Sequence, residues 1–208
     1  MNREQILANK IRYFFNPLFT SVYAFIYYLF LMVLFNGNSG VGTIVLKSIV
    51  LYTLTTCFFP VFFIYILNGN SFINIEENTK NNNASYRIIS ISYLVSYMYF
   101  SILNLPTLLN TALIIPFFVS LIPLFLRKRT AIIYDIIMMG AITSFVLLLT
   151  IEFYYVFSIF PLLLIILCSG LIVYSYRIQN LYSSAQTTCN YLGGCILTAI
   201  IVLFVLII

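Results

Sequence analysis

Three groups of polar side chains interrupt an otherwise apolar chain, and its chemistry must be drawn from them. Lys80 and Arg87 flank six residues in "KNNNASYRI", and Arg127, Lys128 and Arg129 form a run. Gln179, Asn180, Gln186 and Asn190 populate the stretch "QNLYSSAQTTCNYLGG". Cations beside apolar segments attract phosphate, above all the headgroups of anionic lipids. The amides can donate and accept hydrogen bonds, but they are neither nucleophiles nor general acids near neutral pH. Histidine is absent from all 208 residues, which removes the commonest general base and the commonest metal ligand. Cys57, Cys168, Cys189 and Cys195 form no Cys-x-x-Cys pair, and three of them fall in or at apolar stretches, as small apolar side chains do. No metal or other cofactor is expected. No phosphate-binding G-x-x-x-x-G-K, zinc-binding H-E-x-x-H or nucleophile-elbow G-x-S-x-G sequence occurs.

The elements that must position these groups are membrane helices. The chain is 62% hydrophobic and 7% charged, with a mean hydropathy of +1.07, whereas soluble domains carry about 25% charged residues. A bilayer core needs about 20 apolar residues per helix. Seven stretches meet this length approximately: 18–35, 44–67, 88–103, 108–126, 133–151, 155–174 and 191–208. The expected fold is an all-α, polytopic integral membrane bundle of seven spans, with residues 1–17 as a cytoplasmic, interfacial segment before a membrane domain at 18–208. The third and fourth spans are joined by "NLPT", where Pro106 favours a tight turn.

Charge sets the orientation. Arg3, Lys10, Arg12, Lys80, Arg87, Arg127, Lys128, Arg129 and Arg177 fall on one side of this alternation, and Lys47 falls on the other. The positive-inside rule then places the N-terminus in the cytoplasm and the C-terminus outside. The same placement explains the net charge of +5 as a topology signal and gives no reason to expect a nucleic-acid partner. The first span has a basic start, but no A-x-A-like cleavage site follows it, so it reads as a retained helix. Before it, Ile6, Leu7, Ile11, Phe14 and Phe15 are spaced to lie along the membrane surface until Pro17 redirects the chain.

Polar residues within the spans are few. Asp135, Glu152 and Lys47 fall near span ends, as interfacial charges do. Ser90, Tyr93, Tyr97 and Ser101 share one helical face, a pattern that bonds neighbouring helices more often than it lines a substrate path. Gly194 and Thr198 form a small-xxx-small pair suited to close helix packing.

The three cytoplasmic loops, taken in order, resemble the type 2 phosphatidic acid phosphatase superfamily, and more closely a divergent bacterial seven-span branch of it. "IRYFFNPLFTSVYAFIYYLF" is similar to the start of that branch. The superfamily builds a phosphate site from Lys-x6-Arg-Pro, Pro-Ser-Gly-His and Ser-Arg-x5-His-x3-Asp. Lys80 and Arg87 match the spacing of the first motif, with Ile88 in place of proline. The second would fall around Arg127 to Asp135, where no Pro-Ser-Gly-His occurs. On the third, Ser, Arg, His and Asp fall on Gln179, Asn180, Gln186 and Asn190. The resemblance therefore implies a phosphatase-like membrane protein that lacks the family's histidine nucleophile and acid. It would hold an anionic lipid or phosphate headgroup through Lys80, Arg87, Arg127, Lys128 and Arg129. Its partners are membrane lipids, with a protein partner or a second copy of the chain as further candidates. Alternative functions are a small accessory subunit, a lipid transporter or flippase, and an enzyme of unfamiliar chemistry.

Overall fold

A computed structural model describes residues 3–36, 41–68, 83–102, 107–126, 132–153 and 159–207. Among these residues every regular element is helical. The helices are α1 (Arg3–Phe14), α2 (Pro17–Asn36), α3 (residues 41–68), α4 (Asn83–Ser101), α5 (Thr107–Leu126), α6 (Tyr134–Phe153), α7 (Ile159–Ile178) and α8 (Ser184–Ile207). A helix thus occupies each of the seven apolar stretches, and α1 precedes them. Among the described residues, four segments are long and apolar enough to cross a bilayer: Lys47–Ile66, Tyr134–Ile151, Ile159–Ile178 and Ser184–Val205. Leu18–Tyr27 and Asn110–Leu126 are shorter apolar helical segments. Lys80, Arg127, Lys128, Arg129 and the turn at Pro106 lie outside the described residues.

The chain forms two compact units, residues 1–20 with 125–208, and residues 21–124. In the second unit, α3 is continuous but irregular. Its parts are Val41–Thr53, a π turn at Leu54–Phe58, and Phe59–Asn68. Pro60 follows immediately and has no N–H for the carbonyl four residues back. The π turn shifts the ladder ahead of it, so that Phe59 N–H bonds the Leu54 carbonyl. Thr53, Thr55 and Thr56 each turn their hydroxyl onto a carbonyl of the preceding turn, at 2.8 Å from Ile49, 3.0 Å from Leu51 and 2.7 Å from Tyr52. Such bonds satisfy hydroxyls where water is absent and favour bending.

The helices of this unit meet through paired hydroxyls and stacked rings. Tyr93 on α4 donates to Ser21 on α2 at 3.0 Å, Ser120 on α5 lies 2.8 Å from Ser90, and Ser96 lies 2.7 Å from Thr55. Phe25 of α2 and Tyr52 of α3 stack with centroids 4.2 Å apart, and Phe100 of α4 meets both edge-on. Of the expected stripe on α4, Ser90 and Tyr93 make cross-helix bonds, while Ser101 bonds back to the Met98 carbonyl.

In the first unit α6 packs along α8 and α7, and α1 lies on α7. The α6–α8 crossing is a backbone contact. A Cβ added to Gly140 would stand 2.1 Å from the Tyr191 carbonyl oxygen, and one added to Gly194 would stand 2.0 Å from that of Ile137. Only hydrogen fits at either position. The Cys195 thiol adds a contact of 3.2 Å to the Gly140 carbonyl. Gly193, beside Gly194, has open space where its side chain would be. Ile133, Ile136, Met139, Ile172 and Tyr176 form the buried core of this unit, with Ile11 and Phe15 packed onto it from the N-terminal segment.

Candidate functional site

The stretch from Gln179 to Asn190 joins α7 to α8, and its residues are explained first by the geometry of that join. A helix leaves its last carbonyls and first N–H groups without intrahelical partners. At the end of α7, Asn180 adopts a left-handed conformation with φ of 52°. Its N–H bonds the Arg177 carbonyl at 3.0 Å, and Leu181 N–H reaches back to the Tyr176 carbonyl at 3.2 Å. This pair of bonds is a Schellman motif, in which asparagine is the usual substitute for glycine.

Three residues on, Ser183 caps α8. Gln186 N–H donates to the Ser183 hydroxyl at 3.3 Å, and Ser183 N–H donates to the Gln186 side-chain oxygen at 3.0 Å. "SSAQ" is therefore a capping box, with glutamine supplying the acceptor. One turn later Asn190 bridges two elements. Its amide nitrogen donates to the Gln186 carbonyl at 2.7 Å, and its oxygen accepts from Ile133 N–H at 3.1 Å. The start of α6 is thus tied to the first turns of α8.

Gln179 fastens the N-terminal helix. Its side-chain oxygen accepts from the Arg12 guanidinium at 2.8 Å and its nitrogen donates to Asn9 at 2.7 Å. The Arg12 guanidinium carbon also lies 4.5 Å from the centre of the Tyr176 ring. A partly buried cation–π contact of this kind contributes about 1 kcal/mol. The Tyr176 hydroxyl in turn donates to Asp135 at 2.7 Å, and Tyr182 packs edge-on against the Tyr176 ring. Asp135 is only 7% exposed and Tyr176 is fully buried. Asp135 stands at the start of α6, where the sequence places it, and is buried in protein there: a carboxylate removed from water needs a partner, and Tyr176 supplies one.

The site that results is a polar hub of Asn9, Arg12, Asp135, Tyr176 and Gln179 at one end of the first unit. Its groups are turned toward each other, so it holds three helices together. The four amide positions Gln179, Asn180, Gln186 and Asn190 split between two tasks, Gln179 and Asn190 bridging helices, Asn180 and Gln186 shaping their ends. Arg87 is exposed on α4 in the second unit, and the remaining phosphate-binding candidates lie outside the described residues.

Two of these features carried a local signal in the sequence, since Ser183-x-x-Gln186 is a capping-box pattern and Asn180 follows an apolar helix. The engagement of Arg12 with Gln179 joins residues 167 positions apart and had none. No disulfide joins the four cysteines. Exposed charge in the described part of this unit is mainly cationic, with Arg3, Lys10 and Arg177 against Glu4. No family model matches the sequence, and no curated protein or solved structure matches it either.

Proposed function

We propose that this chain is a non-catalytic integral membrane protein that holds anionic lipid headgroups at its cytoplasmic face. The reading takes all seven apolar helices as spans, with the N-terminus cytoplasmic, as the distribution of Lys and Arg favours, and the membrane a bacterial inner membrane, as the resemblance implies. One observation carries it. The amides between Gln179 and Asn190 are committed to turns, caps and helix contacts, whereas Arg3, Lys10 and Arg177 are exposed in the same unit. Cations so placed next to membrane helices each attract anionic lipid by about 1 kcal/mol. Lys80, Arg87 and Arg127–Arg129 belong to the same face in this topology and add to the attraction. The resemblance to phosphatidic acid phosphatases agrees with a phosphate-seeking surface, and the lack of histidine with the absence of their reaction.

The test is lipid mass spectrometry on protein purified from membranes. Phosphatidylglycerol should co-purify in excess over its share of the membrane. The excess should fall when Arg3, Lys10 and Arg177 are replaced by alanine, and fall again with Lys80→Ala and Arg87→Ala. An unchanged lipid profile overturns headgroup binding. Hydrolysis of phosphatidic acid by the same preparation overturns the non-catalytic half of the reading.

A further inference from the structure

We infer that α1 is an in-plane anchor whose outward face is embedded in the anionic leaflet, so that the lipid surface itself is its docking partner. This deepens the headgroup reading and rests on it for the choice of lipid. Successive residues of an α-helix are about 100° apart. On that wheel Ile6, Leu7, Tyr13 and Phe14 fall within an arc of about 120°, and Arg3 and Lys10 fall inside the same arc. The four apolar side chains are 43%, 56%, 56% and 59% exposed. Ala8, Ile11, Arg12 and Phe15 lie on the opposite side. That side is the one fixed to α7, through Ala8 burial, the Arg12 and Asn9 bonds to Gln179, and the Arg12–Tyr176 contact.

The helix therefore has two apolar faces, and its packing on α7 accounts for only one. Four large apolar groups on a twelve-residue helix would be costly in water. At about 1.5 Å per residue α1 is roughly 18 Å long, well short of the ~30 Å hydrocarbon core. It can lie on a membrane but cannot cross one. Its exit leads straight into the apolar segment Leu18–Tyr27 through one turn, in which Asn16 caps α2 by accepting from Leu18 N–H at 3.1 Å and Pro17 takes the first helical position.

The cations choose between a lipid surface and a protein partner. Lys10 is central in the outward arc and Arg3 is beside it, so neither can be kept at a rim. A protein interface depletes lysine from its centre. At a leaflet, long basic side chains rise from between buried apolar neighbours to the phosphates. Tyr13 and Phe14 suit the headgroup boundary, where aromatic rings gather.

The chain contains no tryptophan, so a single substitution creates a unique reporter in the full-length protein. Leu7→Trp and Phe14→Trp are placed in nanodiscs of phosphatidylglycerol or phosphatidylcholine, with Gln5→Trp, an exposed position outside the outward arc, as the reference. In phosphatidylglycerol the two outward reporters should be about threefold less quenched by acrylamide than the reference, and quenched by lipids brominated high in the acyl chain, as for a helix buried ~5–10 Å into the interface. Adding Arg3→Glu and Lys10→Glu to Phe14→Trp should raise acrylamide access. Equal shielding in both lipids keeps the anchor but overturns its anionic preference, and with it the support α1 lends to headgroup binding. Acrylamide access equal to the reference in both lipids overturns the anchor, whatever lipid co-purifies. Shielding without bromolipid quenching overturns it in favour of a second protein.

Discussion

In residues 21–124 the helices meet through hydroxyl pairs and a cluster of three rings, whereas in the other unit α6 and α8 meet backbone to backbone at Gly140 and Gly194. Both are answers to one problem. Lipid tails are as apolar as leucine, so the hydrophobic effect does little to bring spans together. Hydroxyl pairs replace it with bonds averaging about 0.6 kcal/mol each, because the separated helices find other partners. Close backbone approach replaces it with dispersion summed over many atoms, bounded by a steep repulsive wall. The first arrangement should therefore degrade gradually under substitution, and the second abruptly.

The largest expected effect is at the crossing. Gly194→Val or Gly140→Val drives a side chain into a facing carbonyl and should cost about 3 kcal/mol or more in detergent unfolding. Gly193→Ala and Gly170→Ala have open space at the new methyl and should be neutral or slightly stabilising. Next comes Tyr176→Phe, which leaves Asp135 without its 2.7 Å donor and should cost about 2 kcal/mol. Hydrogen exchange in α1 should change little, since phenylalanine keeps the ring on which Arg12 rests. Asn180→Val forces a branched side chain into the left-handed region and should cost about 1–2 kcal/mol, whereas Asn180→Gly should be tolerated. The smallest effect should follow Tyr93→Phe in the hydroxyl-paired unit, about 0.6 kcal/mol. A loss there matching that of Gly194→Val would break the contrast between the units.

The helices themselves were legible because each long apolar run has one economical structure once its backbone must be satisfied internally. Gly194 was legible as a close-packing residue, but its counterpart Gly140 was not, since "MMGAITS" gives no sign of which helix will press on it. The α4 stripe was half legible: spacing places Ser90 and Tyr93 on one face, yet only a neighbour's hydroxyl turns a face into a contact. The partner of Asp135 was hidden for a related reason. The position of Asp135 in the sequence puts it at a span end, and burial there depends on Tyr176, 41 residues later. For Gln179, Asn180, Gln186 and Asn190 the sequence invited comparison with a catalytic motif, while the local signals of a left-handed cap and an S-x-x-Q box explained two of the four at lower cost. Local physics is written in neighbouring residues, and bridges between helices are not.

The crossing of Gly140 and Gly194 also bears on how the chain is made. Gly140 and Cys195, which touch across it, are 55 positions apart. At about 5–20 residues per second, α6 leaves the ribosome roughly 3–11 s before its counterpart. Through that interval all of α7 and the turn after it are synthesised, while the narrow groove over Gly140 waits to be filled. An insertion of one residue on either side would rotate one helix by about 100° and bring a side chain to the wall. The two helices must therefore change length together or not at all, and the turn that aims α8 back along α6 is part of the assembly schedule as much as of the finished fold.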